Sequence, residues 1–299
     1  VTLPAWKIFM IQFLNIAGTG PIFGAIMGIW YGPSAYLWIV FGCIFAGATH
    51  DYLSGMLSLR NKGASLPELV GIYLGGRMRR IMLIFSIVLL VMVGVVFVMS
   101  PAALLSTMFE DTWAGNLMLW IVVIFIYYLI ATMLPVDKII GKIYPVFAVA
   151  LIFMAAGLLV MLFVHHPAIP ELWDGMGNMG EKRLGIKNPD PLFPALFITI
   201  ACGAISGFHA TQSPLMARCM KSERQGRKIF FGSMITEGLV ALVWATVSSY
   251  FFYAEGWREV LAATAPEQLA AVEAKLAAGD NITQIFGNAA EVVMIMCNS

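Results

Sequence analysis

Two apolar blocks of membrane-spanning length are each interrupted by residues that a lipid-embedded helix resists. The first interruption is Asn15-Ile16-Ala17-Gly18-Thr19-Gly20-Pro21. The second is Cys202-Gly203-Ala204-Ile205-Ser206-Gly207-Phe208-His209, five apolar blocks later. Glycine and proline free backbone N–H and C=O groups, and hydrocarbon offers those groups no partner. Such breaks must be buried in protein or line a polar cavity.

The rest of the chain agrees with a membrane environment. Of its 299 residues, 60% are hydrophobic and only 12% charged, about half the charge of an ordinary soluble domain. Apolar runs predict spans at about residues 8–30, 35–57, 81–107, 117–135, 143–164, 192–217, 229–253 and 282–299. The expected fold class is therefore an all-α polytopic membrane protein with about eight transmembrane helices. The chain opens without an initiator Met and ends on an apolar run, so it reads as a fragment. The four cysteines, Cys43, Cys202, Cys219 and Cys297, lack the spacing of a zinc site or a disulfide framework and read as small packing residues.

Charge sets the orientation. When the connecting segments are assigned alternately to two sides, one side collects 13 of the 18 basic residues. They are Lys7, the Arg60–Arg80 group, Lys138 and Lys142, and the Arg218–Lys228 group. The positive-inside rule makes that side cytoplasmic. The first and sixth spans then cross in opposite senses, as an inverted five-plus-five repeat requires. One broken helix per half is the pattern that marks the binding site of a secondary transporter. The organisation expected is a first repeat over 1–164, an external loop over 165–191, and a truncated second repeat over 192–299 with an external segment at 256–280. Within that segment, Pro266 to Ala278 reads as a short amphipathic helix. Aromatics near span ends, including Trp6, Trp30, Tyr31, Trp113 and Trp257, read as interfacial anchors.

The candidate binding residues are those of the two breaks: Asn15, Gly18, Thr19 and Gly20 in the first, Ser206, Gly207, His209 and Gln212 in the second. Half-helix N-termini offer free N–H donors and partial positive charge, which suit a carboxylate. The competing reading of Gly20, Gly24 and Gly28 is close helix packing. His50, Asp51, His209 and Glu237 are candidates for proton coupling or a gate, because ionisable groups within a membrane are costly and imidazole titrates near neutrality. The bland alternatives are a hydrogen-bonded core histidine for His209, an interfacial cap paired with Arg60 for His50-Asp51, and a salt bridge for Glu237. No P-loop, GxSxG, HExxH or dinucleotide fingerprint is present. The expectation is a non-enzyme with no cofactor, no metal and no nucleic-acid partner.

The stretches Gln12–Gly24, Ala201–Pro214, Gly47–Gly71 with Ala48-Thr49-His50-Asp51-Tyr52 and Arg60-Asn61-Lys62-Gly63-Ala64-Ser65-Leu66, Met216-Ala217-Arg218-Cys219 and Met234-Ile235-Thr236-Glu237-Gly238 resemble the carbon starvation protein (CstA) family. The resemblance covers nearly the whole chain. It implies a bacterial inner-membrane, multi-pass protein that takes up peptides, or pyruvate with protons, during carbon starvation. It also implies a longer protein and a fold similar to the amino acid–polyamine–cation (LeuT-like) transporters. The alternative from another class is a membrane nutrient sensor that binds substrate without net flux. Expected partners are the peptide or pyruvate substrate, protons and membrane lipids.

Overall fold

The computed structural model describes residues 2–18, 20–109, 112–133, 136–173, 186, 191–201, 208–254, 256–264, 266–280 and 285. Every regular element among them is helical. The chain begins with α1 (Ala5–Ala17) and α2 (Gly20–Ile29), two short apolar helices bent by 42° at the glycine between them. Gly18 has φ +49°, in the region that favours glycine. Its N–H still reaches Leu14 O at 3.2 Å, so α1 closes its ladder before the chain turns away. A Cβ at Gly18 would stand 2.9 Å from Phe97 Cζ. The first break is therefore present, and a ring from a later helix backs it.

The second apolar block forms one run of helix: α3 (Ser34–Phe41), a π-helical stretch over Gly42–Ala48, and α4 (Thr49–Arg60). The small residues of the π stretch let it lie against α11 (Gly232–Ser249). Cys43 Sγ donates to Met234 O at 3.1 Å, and a Cβ on Gly238 would come within 2.7 Å of that sulfur. A short exposed helix, α5 (Leu66–Leu74), follows. Its first turn is closed by Glu68, whose Oε2 accepts from the Ser65 N–H at 2.7 Å and from Ser65 Oγ at 2.9 Å. The backbone bond holds the Glu68 carboxyl below the usual carboxylate range. The bond therefore favours the folded turn above that range and is lost as pH falls through it.

Next come α6 (Gly76–Met108), α7 (Leu117–Met133) and α8 (Val136–His165). Only Ala102 of α6 is buried, although the helix is apolar all round. An exposed helix of that composition has lipid as its solvent. Pro101 lies inside α6 and has no N–H for the carbonyl of Phe97 four residues back. Tyr128 on α7 takes over, its hydroxyl donating to Phe97 O at 3.1 Å. Tyr128→Phe is expected to lower stability in detergent by about 1 kcal/mol. A thermal-unfolding series should show the loss, and Tyr127→Phe, one residue away, should not.

The chain continues with α9 (Leu192–Ile200) and α10 (His209–Ala217), between which residues 202–207 lie outside the described residues. α11 runs between π-helical ends at Arg227–Phe231 and Tyr250–Ala254. α12 (Gly256–Thr264) and α13 (Pro266–Ala278) follow. The short helix expected from Pro266 has the predicted bounds. By length and composition, three helices among the described residues suffice to cross a membrane: Gly76–Met108, Tyr144–His165 and Glu223–Tyr253. The bent α1–α2 pair makes a fourth if it counts as one span. α7, at 17 residues, is apolar but shorter. Of the expected last span only residue 285 is described.

The main core lies where α1, α2, α3, α9, α11 and α12 meet, around Phe13, Ile26, Ile29, Ile39, Ile200 and Trp244. It corrects part of the aromatic-belt reading. Trp30, Tyr31 and Trp257 are buried in that core, while Trp6 and Trp113 are exposed. The reason is local: the backbone carbonyl of Trp30 accepts from Tyr253 Oη at 2.6 Å, and its ring meets Phe252 edge-on, so the end of α2 is sealed by the end of α11.

Candidate functional site

Polar side chains of α1, α4 and α10 converge within two turns of the Gly18 bend. Gln12 and Asn15 sit one turn apart on α1 and face α10, where Gln212 and Ser213 stand side by side. Asn15 Nδ2 donates to Gln212 Oε1 at 3.3 Å. Gln12 Nε2 donates to both carboxylate oxygens of Asp51 on α4, at 3.0 and 3.1 Å, and lies 3.3 Å from Ser213 Oγ. Ser213 Oγ in turn donates to Asp51 Oδ1, and it also reaches the carbonyl of His209 at 2.6 Å. Gln12, Asp51 and Ser213 are all shut off from solvent. Three helices far apart in sequence are thus tied through one carboxylate.

Around that knot stand the other ionisable groups. The rings of His50 and His209 are 4.5 Å apart, tilted by 49°. His209 is buried, and its Nδ1 has no partner among the described residues. Glu237 on α11 is fully buried, and among the described residues neither carboxylate oxygen is hydrogen-bonded. It is close enough to Asp51 for the two carboxylates to interact electrostatically. Among the described residues neither has a basic ion-pair partner, the ion pairs being Arg60–Glu223 and Arg258–Glu273. A buried ionised carboxylate without a partner is unfavourable by several kcal/mol. Two of them together call for a counter-charge or for protonation, and the described side chains supply no basic partner. Among the described residues no cluster of three or more His, Cys, Asp or Glu is arranged to hold a metal.

Of the residues expected to form the site, Asn15 and Gln212 meet directly, His50 meets His209, and Asp51 and Glu237 share one electrostatic environment. Gly18 supplies the bend, and Gly20 opens α2. Thr19, Ser206 and Gly207 lie outside the described residues. The cap reading of His50-Asp51 needs correcting. The helix runs on nine residues to Arg60, Asp51 is buried mid-helix, and Arg60 pairs instead with Glu223 at 3.3 Å. The salt-bridge alternative for Glu237 also falls, since no basic group pairs with it among the described residues.

Gln12 and Ser213 were not among the expected site residues, yet they make the knot. The signal available was that each lies one helical turn from an expected site residue, Asn15 and His209 respectively, on the same face. Phe97 is a second unexpected contributor. It backs the Gly18 bend and also meets Phe208, which precedes α10, edge-on at 5.5 Å.

Comparison with known proteins gives this geometry a context. The profile of the carbon starvation protein CstA family matches residues 1–115 and 102–294. An uncharacterized membrane protein of Haemophilus influenzae is 47% identical over 288 residues, covering 82% of this chain and 78% of that protein. The peptide transporter CstA of Campylobacter jejuni is 29% identical over 292 residues, covering 79% of this chain and 41% of the relative. The pyruvate/proton symporter BtsT of Escherichia coli is 27% identical over 301 residues, covering 80% and 41%. The chain thus spans about two fifths of the length of these named transporters. No solved structure matches. With a family match running over nearly its whole length, the chain belongs to the carbon starvation protein CstA family, whose named relatives are transporters.

Proposed function

We propose that the chain forms part of the core of a secondary active transporter in the bacterial inner membrane. It imports peptides or a small monocarboxylate such as pyruvate, driven by protons, and it serves cells short of carbon. The observation that carries this reading is the buried knot of Gln12, Asp51 and Ser213 beneath a helix bent at Gly18, with unpartnered Glu237 beside it. A bent helix beside buried carboxylates with no basic partner is an arrangement that ion-coupled transporters use. In this reading Asn15, Gly18, Thr19, Gly20, Ser206, Gly207, His209 and Gln212 line the substrate site, and His50, Asp51, His209 and Glu237 serve proton coupling or the gate. The full architecture is an inverted repeat of LeuT-like type, in which this chain supplies about eight spans. The names of the relatives support both substrate classes.

The test uses the full-length protein containing this chain, reconstituted into vesicles. Labelled pyruvate and labelled alanyl-alanine are offered with and without an inward proton gradient. Accumulation of at least one, collapsed by a protonophore, is expected. Binding of a probe without flux would replace the reading with that of a nutrient sensor. Uptake indifferent to the gradient would remove proton coupling.

A further inference from the structure

We infer that Gln12 and Ser213 are positioning residues that read the charge of Asp51 and pass it to the cytoplasmic halves of both broken spans. The inference rests on the proposed proton-coupled transport and names how one of its candidate groups would move the protein. Its basis is that each of the two residues has a second hydrogen-bonding option already in place.

With Asp51 ionised, its carboxylate accepts from Gln12 Nε2 and from Ser213 Oγ, so α1 and α10 are both held to α4. Bonds to a charged acceptor are about twice as strong as neutral ones. When a proton binds, Asp51 gains a donor and loses the charge that attracted the others. Gln12 Oε1, on the same amide group, is buried and has no partner among the described residues, so a half-turn of that amide presents an acceptor to the new Asp51 O–H. Ser213 has a single hydroxyl hydrogen, and the His209 carbonyl at 2.6 Å is ready to take it. The proton stays on Asp51 throughout, and only hydrogen-bond partners change. The result is that α10 is released from α4 and the hold of α1 on α4 falls from a pair of charge-assisted bonds to one neutral bond. By the charge assignment, α1, α4 and α10 are the cytoplasmic portions of the first, second and sixth spans, so this release loosens the cytoplasmic side.

The titratable groups that surround Asp51 are few. His50 adjoins it on α4, His209 comes from α10, and Glu237 from α11. α1 turns the neutral Gln12 and Asn15 toward α10 and α4, and its one charged residue, Lys7, stands five residues before Gln12. The π stretch before α4 contributes Cys43. The π stretch over Arg227–Phe231 and α5 also pack on α4, but their Arg227, Lys228 and Glu68 are exposed, as is Arg218 at the end of α10, which donates to Gly63 O at 2.8 Å.

The test is the pH profile of uptake by the full-length protein in vesicles, with labelled pyruvate and alanyl-alanine as probes. Gln12→Leu and Ser213→Ala each remove a donor to the carboxylate. Each is expected to move the half-maximal pH upward by on the order of one unit. Ser213→Thr keeps the hydroxyl and should restore the unaltered profile, which a merely structural role for residue 213 would not require. Gln12 and Ser213 lie on different helices, so misfolding of one variant leaves the other to decide. Unmoved midpoints in the folded variants overturn this inference while uptake itself stands. Absence of uptake of both probes by the unaltered protein overturns the transport reading and this inference with it.

Discussion

Glu237→Gln should reduce proton-driven accumulation to the background of empty vesicles while leaving the protein folded. The expectation follows from what surrounds the side chain. Cys43 bonds the Met234 carbonyl, and Gly238, having no Cβ, lets the sulfur come that close, so α11 packs against the π stretch with Glu237 buried. The carboxylate is fully buried and makes no hydrogen bond among the described residues. A glutamine of the same size removes the charge and the ability to exchange a proton. It adds no cavity and takes away a carboxylate that has no basic partner among the described residues, so the fold should be retained. The measurement is accumulation of labelled pyruvate or alanyl-alanine under a proton gradient, set beside substrate exchange at equal pH on both sides. Exchange that survives while accumulation vanishes is the signature of a lost coupling group. If the glutamine variant accumulates either probe as well as the unaltered protein does, Glu237 has no part in coupling.

Local chemistry made much of the fold legible. Gly18 breaks the first span because only glycine accepts its backbone angles cheaply, and the residue names say so directly. Pro266 opens a helix because its missing N–H costs nothing at a first turn. The apolar runs locate α6 and α8 because their surfaces face lipid. The site was legible only in outline. Asp51 read as a possible interfacial cap because basic residues follow it closely, whereas its burial depends on Gln12 and Ser213, which are 39 and 162 residues away in the chain. Neutral amides and hydroxyls carry no signal in a charge count, so nothing in the sequence ties either residue to Asp51. Trp30 and Trp257 misled for a similar reason. Their nearness to span ends is visible in the sequence, but the closure of α11 and α12 over the end of α2 is not.

A valine at Gly28 should unseat α2 from α9. α2 packs on α9, and a Cβ at Gly28 would stand 2.7 Å from Ile200 Cγ1 and 3.1 Å from its Cδ1. Ile200 is itself buried in the main core beside Ile26, Ile29 and Ile39 and has no open side to move into. Here the packing role of the Gly20, Gly24 and Gly28 series is concrete at one position, and it coexists with the bend at Gly18. Overpacking of this kind costs about 1–3 kcal/mol, and a β-branched side chain has too few rotamers to escape it. Gly28→Val should therefore fall at the high end, with a sharply lower melting temperature in detergent and loss of transport. Ile200→Ala alone should also destabilise, by about 2–5 kcal/mol, because it opens a cavity. The two together should be less damaging than their sum, since the new methyl groups enter the space that isoleucine vacates. A double variant whose loss equals the sum of the single losses would show that α2 and α9 do not meet through this pair.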